Sequence, residues 1–482
     1  MSRGWNAKKI YTHLMAYRLL YLGLLIHCMF YLSVSKTGWL DIFFSGAALH
    51  DGAKGIDFYQ IPRGAWAFWH GGQLTGSPLA EGSMYAKTYF ANSNVYHPLF
   101  TILLGSLLMQ FAPAQAPYVW LWIKLAVSLA VFAYFYWSFR SNTYIQFAVF
   151  ILLTNFSTYL ELAAWQFQFV LNIFLLLLLM NLVRRKPAVL SGLYYWYGLL
   201  VKPIGLLFLP ALLCKRRYVV ALIGVVLFAL ELWLLSGMGK YYSDNLVANI
   251  LHPDNFGPNQ IITLNALLHF SALTHWPDAV YKVIQYGTLL LVIGWGALKR
   301  VHISKAIFLA VAYYLCFYSL VYEYQWSSLA YVLAICVVCC PAFQTRLSRC
   351  CILLTCLPSC FVLLQLWHID IQNEGIFGLI PGEHAWELMV VSKIVPLALL
   401  CISVCAGDVR PIYQQARTLL SAVRKGNRSV GVAGETKEEA HVEGAVCVRD
   451  TGHIQHLLCK WLSGRYFGAS RGCPGPEPPA RR

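Results

Sequence analysis

Long apolar runs separated by short polar gaps fill most of this chain. Runs of about 17–25 residues, each able to span a roughly 30 Å hydrocarbon core, recur from residue 17 to about residue 405. The densest are 19–32, 171–183, 219–235, 289–295 with its flanks, and 388–404, the last interrupted only by Lys393. The pattern predicts an all-α polytopic membrane protein. Within the long polar stretch 35–97, Phe58, Pro62, Ala65, Trp66 and Trp69 recur at helical spacing. That spacing predicts an amphipathic helix lying on the membrane surface.

Composition sharpens this picture. Of 482 residues 58% are hydrophobic and 12% charged, against about 25% charged in a soluble domain. Lipid is therefore expected to face most of the surface. The net charge of +16 sits in the gaps between apolar runs, at Arg184, Arg185 and Lys186, at Lys215, Arg216 and Arg217, at Lys299 and Arg300, and at Arg346 and Arg349. This is the positive-inside distribution, and it argues against nucleic acid as a partner. Most of the 15 cysteines lie inside apolar runs, where cysteine acts as a small apolar filler. Neither a disulfide framework nor a metal site is expected.

Charge also sets an orientation. The first run has no small-residue cleavage site after it and reads as a signal anchor, with Lys8, Lys9 and Arg18 holding residues 1–16 in the cytosol. Residues 17–405 form the membrane domain, with 35–97 as its first outer loop, and 406–482 form a polar cytosolic tail too poor in apolar residues to build a core. The loop 368–387 carries Asp370, Glu374, Glu383 and Glu387 and no lysine or arginine, so it is expected outside. Two places resist simple alternation. Four apolar segments lie between His97 and Arg184, one too many, and 145–156 is the candidate for a short or re-entrant one. Residues 190–213 are flanked by basic clusters at both ends yet are long enough for only one span. A pair of short helices meeting at Lys202-Pro203 resolves this, since proline breaks a helix.

Several residues carry candidate chemistry. Asp57, at the membrane boundary in the first outer loop, could be desolvated enough to serve as a general base; it could equally be a solvated loop acid, and Asp41 and Asp51 are rivals. Lys202 is either functional or a lysine reaching for the interface. Gln168 and Asn172 share a helix face and could bind sugar hydroxyls or tie helices together. Tyr322-Glu323-Tyr324-Gln325-Trp326 adds a carboxylate to aromatics that otherwise read as interfacial anchors. Asp57, His97, Gln168, Lys202, Asn259 and Glu323 all fall on the non-cytosolic side of this topology, which suggests one site there.

These residues resemble a known family. The stretch from Asp57 through Phe58, Tyr59, Gly64, Ala65 and Trp66 to Gly71-Gly72 is similar to the first outer loop of the GT-C glycosyltransferases, especially the GT87 polyprenol-phosphate-sugar-dependent family. Tyr96-His97-Pro98-Leu99-Phe100 resembles that family's entry to the second span, with His97 in place of a proline. Gln168 and Asn172 resemble its Gln-x-Asn motif at wider spacing, and the segment around Lys202-Pro203 resembles its Lys-Pro segment. Asn259-Gln260 resembles an outer Asn-Gln loop. The stretch Tyr322 to Trp326 lacks the family's late histidine, whose place Tyr324 or Gln325 could take. The resemblance covers roughly residues 57–340. It implies a GT-C-like bundle of roughly 10–12 transmembrane helices in a bacterial inner (plasma) membrane, with its active site toward the periplasm or exterior. It further implies a hexosyltransferase, mannose-like in sugar, that takes its sugar from a polyprenyl-phosphate-linked donor and gives it to a lipid-linked or glycan acceptor with inversion. Asp57 would be the general base. Lys202, Arg63, Gln168, Asn172, Glu323, Tyr324 and Gln325 would hold the donor, and Tyr59, Tyr96, His97, Asn259 and Gln260 would contact the acceptor or loop. No metal or other cofactor is implied. The competing readings are a multi-pass transporter or flippase and an inactive scaffold of the same fold.

Overall fold

The computed structural model describes residues 15–37, 56–72, 74, 81–88, 96–163, 165–234, 263–264, 267, 277–298, 300–318, 321–358, 387–388 and 390–408. Asp41, Asp51, Asn259, Gln260 and most of the loop 368–387 lie outside them, as does the tail. Contacts divide the chain into Met1–Gln414 and Gln415–Arg482, nine residues beyond the expected boundary at 405.

The described residues are mostly helical and contain no strand. In chain order the helices are α1 (Arg18–Leu32), α2 (Ile56–Trp69), α3 (Pro98–Leu108), α4 (Ala116–Phe139), α5 (Ile145–Thr154), α6 (Phe156–Ala163), α7 (Gln168–Val183), α8 (Ala188–Val201), α9 (Leu209–Cys214), α10 (Tyr218–Leu234), α11 (Asp278–Ala297), α12 (Ile303–Phe317), α13 (Ser327–Cys339), α14 (Arg346–Cys356) and α15 (Val390–Asp408). Five helical stretches among the described residues are long and apolar enough to cross a membrane, by length and composition: 18–36, 116–139, 145–163, 279–297 and 390–408.

The core lies where helices are apolar on every side. In α13 every residue from Ser327 to Val338 is buried, and α7 and α12 are nearly as enclosed. A helix apolar all round belongs in the interior. Around them, α1, α4, α10, α11 and α15 turn large apolar side chains outward, among them Leu25, Trp122, Trp137, Leu222, Trp233, Val283, Leu290 and Ile402. An apolar outer surface of this extent suits lipid rather than water.

Hydrogen bonds collect the basic loops at one end of the bundle. Arg217 donates to the Leu182 carbonyl at 3.2 Å, Lys215 to that of Leu298 at 2.5 Å, and Arg184 to the Ser138 hydroxyl at 2.8 Å. Asn142 donates to the Val338 carbonyl at 2.8 Å, and Lys305 meets Asp408 at 2.6 Å. Gln146 reaches the Ala16 carbonyl at 2.9 Å. The clusters at 184–186, 215–217 and 300 therefore share one end, with residue 16 beside them.

The break at Lys202 forms as expected, and for the expected reason. A residue before proline is pushed out of the helical region; Lys202 is extended (φ −151°, ψ 133°), ending α8, and Pro203 opens a 3-10 turn over Pro203–Phe208 that leads into α9. The Tyr195 hydroxyl donates to the Gly205 carbonyl at 2.8 Å and ties the two arms together. The pair begins and ends at the basic end, with Lys202-Pro203 at its far vertex.

The surplus segment between His97 and Arg184 is a different one from that expected. Residues 145–156 belong to α5 and α6, which run as one apolar stretch over 145–163. The segment that turns back is α3. Eleven residues give it a length of about 16 Å, half a hydrocarbon core. Both of its ends are fastened to one aromatic layer: Tyr96, before it, packs on Phe167, while after it the carbonyls of Leu108 and Phe111 accept from the Tyr85 hydroxyl and that of Pro113 from Tyr59. Hydropathy alone does not separate such a helix from a span.

Helices α2 and α3 touch backbone to backbone. A Cβ on Gly105 would lie 2.5 Å from the Ile61 carbonyl oxygen and 2.6 Å from the Ala65 Cβ. Neither neighbour is a flexible side-chain end, so Gly105→Ala is expected to push the pair apart and cost about 1–3 kcal/mol. A lowered midpoint of thermal aggregation in detergent, relative to Ser106→Ala, checks this.

Candidate functional site

The end opposite the basic loops holds nearly all the remaining polar chemistry. It is built in three parts.

The first part is the pair α2–α3. Asp57 occupies the second position of α2. Phe58, fully buried, stacks on Phe167 (centroids 5.8 Å apart, 9° between planes), and Trp165 meets both Phe58 and Tyr59 edge-on. Arg63 points its Nη1 at the carbonyls of Tyr85 (2.7 Å) and Ala86 (3.3 Å) and so fastens the 81–88 loop to α2. Burial pushes the Tyr59 and Tyr85 hydroxyls up and the Arg63 guanidinium down, although arginine stays charged. His97 caps α3, its Nδ1 accepting from the Leu99 amide at 3.2 Å, and its ring packs 5.6 Å from that of Phe228. These bonds give His97 and Arg63 work within the fold itself.

The second part is the link between α7 and α13. Gln168 donates to the Ser328 hydroxyl at 2.6 Å, Ser328 donates to Asn172 Oδ1 at 2.6 Å, and Asn172 donates to the Ser327 hydroxyl at 2.7 Å. All four side chains are buried. Of the two roles open to Gln168 and Asn172, these contacts describe the tie between helices. Asn172→Leu breaks two of the three bonds and is expected to cost about 0.6–1.7 kcal/mol, the range for polar ties between membrane helices. Reversible unfolding in mixed detergent measures it.

The third part is the 3-10 turn Glu323–Trp326 between α12 and α13. Gln325 accepts from Tyr314 at 2.9 Å, and Tyr322 and Tyr324 stack 5.8 Å apart. The Lys202 ammonium lies 5.6 Å from the centre of the Tyr324 ring. The turn and the proline break, 120 residues apart in the chain, are thus brought together as the sequence reading proposed. Glu323 pairs with Lys393 at 3.4 Å; Lys393 also donates to the Thr355 carbonyl at 3.2 Å and to that of Leu357, and lies over Trp326.

Helix α6 joins the parts, packing on the 3-10 turn and carrying Glu161. Glu161 and Lys124 form an ion pair at 2.9 Å with both side chains 0% exposed. Sequence reasoning missed Lys124 and Glu161 and noted Lys393 only as an interruption. Their signal was present: a charge inside an apolar run is costly and so marks a partner or a function. Among the described residues no three His, Cys, Asp or Glu side chains are grouped to hold a metal ion.

This arrangement sets a layer of hydroxyl-bearing aromatics and a lysine over a tyrosine ring at one end of an apolar bundle. No family model matches the chain. No curated protein matches it either.

Proposed function

We propose that this chain is a membrane glycosyltransferase that works at the bundle end opposite the basic loops, outside the cytosol. Its donor is a polyprenyl-phosphate-linked hexose, mannose-like, that arrives laterally from the bilayer, and its acceptor is a lipid-linked or glycan hydroxyl. One observation carries the reading: Lys202 and the Glu323–Trp326 turn meet at the same bundle end as α2, whose second residue is Asp57.

The grouping of the basic loops supports the sidedness: the links between α7 and α8, between residues 203–214 and α10, and between α11 and α12 are bonded to one another. Positive charge marks that side as cytosolic. The reading implies a GT-C-like bundle in a bacterial inner membrane.

The chemistry balances without another reagent. Asp57 takes the proton of the acceptor hydroxyl; that oxygen bonds to the anomeric carbon as the bond from this carbon to the phosphate oxygen breaks. The polyprenyl phosphate leaves with the electron pair, and Lys202 offsets its charge. Attack opposite the leaving group inverts the anomeric centre. Tyr324 and Gln325 line the donor side, with Glu323 held by Lys393. Arg63 orders the 81–88 loop beside α2, and Tyr59, Tyr96 and His97 shape the acceptor side.

A second reading draws on the broken helix at Lys202 and the buried Lys124–Glu161 pair, features that transporters also carry. Lys124 is the ninth residue of α4, about 12 Å from its outer end and so close to the bilayer midplane, where transporter sites lie. Purified protein in sealed vesicles, offered a panel of polyprenyl-phosphate sugars and lipid-linked acceptors, is expected to transfer sugar. Solute flux without transfer from any donor would instead establish the transporter.

A further inference from the structure

The Lys124–Glu161 pair sits at the centre of a knot that reaches α2. Lys124 donates to Glu161 Oε1 at 2.9 Å and to the Gln166 carbonyl at 2.5 Å, and Glu161 Oε1 also accepts from the Phe169 amide at 2.9 Å. The Gln166 amide returns to the Glu161 carbonyl at 3.0 Å. Four bonds thus close the turn between α6 and α7 on itself and on α4. The turn needs closing, because Trp165 has φ +55°, a backbone region costly for a bulky residue. Two more bonds fasten Gln166, from Trp120 to its carbonyl at 3.2 Å and from Tyr96 to its Oε1 at 3.3 Å. The side chains that the turn presents, Trp165 and Phe167, are the ones that hold Phe58 and Tyr59 of α2.

We infer that Lys124 and Glu161 are positioning residues for the proposed transfer: their buried pair fixes the 161–169 turn, the turn fixes the first turn of α2, and this places Asp57. Isolated charges in such a setting are costly, and two charges used only for stability are readily replaced by apolar groups. Here the pair does something an apolar pair cannot. It accepts one backbone amide and donates to one backbone carbonyl of a strained turn, so its bonds define the turn's shape. The inference rests on the transferase reading for its kinetic consequence but not for its structural one.

The test uses the full chain in lipid nanodiscs, with Lys124→Met, Glu161→Gln and the double variant Lys124→Met/Glu161→Gln. Glutamine keeps an oxygen for the Phe169 amide, and the double variant leaves neither charge unpaired. Hydrogen exchange is followed by mass spectrometry over 56–69 and 165–169, with 329–335 in the central helix as the control. In Lys124→Met the first two segments are expected to exchange at least tenfold faster, as local opening becomes easier, with the control unchanged. The kcat of transfer falls about 100-fold with donor KM little altered, as misplacement by about 1 Å produces. The double variant recovers part of both. Unchanged exchange over 56–69 in a folded Lys124→Met protein overturns the inference, and so does faster exchange everywhere, which would mark mere destabilisation. If Lys124→Met does not fold, the double variant decides by the same two segments. Wild-type protein without any transfer sinks the transferase reading alone, and the exchange result still decides the clamp.

Discussion

Asp57→Asn is expected to lower kcat by about 10²–10⁴-fold, the contribution of a positioned general base. Asparagine has the size of aspartate and keeps one acceptor oxygen, so the first turn of α2 should persist. What it loses is the ability to take a proton. The kinetic pattern separates roles. A base acts only in the transition state, so kcat and kcat/KM should fall together; a residue that merely binds acceptor would raise KM and spare kcat. Steady-state transfer with donor and acceptor each varied makes the distinction. Transfer that survives the substitution undiminished removes Asp57 from the chemistry, and Asp41→Asn and Asp51→Asn are then the variants to make.

Much of this architecture is legible in the sequence, and what is not has physical causes. The break at Lys202-Pro203 could be read because proline acts locally, on the residue before it and on the helix behind it. The helix Ile56–Trp69 could be read because its apolar positions repeat, but its setting differs from a one-sided surface helix: Gln60 and Arg63 are buried along with Phe58 and Ile61, and Trp69 is exposed. The shared side of the basic clusters follows from charge. By contrast, an apolar helix of 11 residues and a span of 19 differ in hydropathy only by length, so the sequence does not distinguish α3 from a crossing, whereas its two ends on one aromatic layer do. The roles of Gln168 and Asn172 depend on Ser327 and Ser328, more than 150 residues away. Pairing of Lys124 with Glu161 spans 37 residues and two helices. A buried charge announces in the sequence that it needs a partner, but the fold chooses which one.

The second large effect concerns Lys202. Lys202→Met keeps the stem and removes the ammonium from above the Tyr324 ring. Because Pro203 sets the backbone at position 202, the break itself should survive. The ammonium is a cation held at the Tyr322–Tyr324 aromatic pair, and loss of one preorganised charge-stabilising donor costs about 10²–10³-fold in kcat. Lys202→Arg keeps the charge and the contact with an aromatic face and should restore a substantial part. A fall in kcat that arginine does not relieve would mean that Lys202 holds the helix break rather than the leaving phosphate. Pro203→Ala tests that alternative from the other side, since it relaxes the break and leaves the lysine in place.

The central claim is a single displacement at the non-cytosolic end, with Asp57 as base and a lipid phosphate as leaving group. The most direct measurement is the anomeric configuration of the transferred sugar, read by NMR on product made by the purified chain from a polyprenyl-phosphate hexose of known configuration. Inversion in every product molecule is the predicted result. Retention would require a covalent sugar–enzyme intermediate or a front-face path, and it would contradict the account.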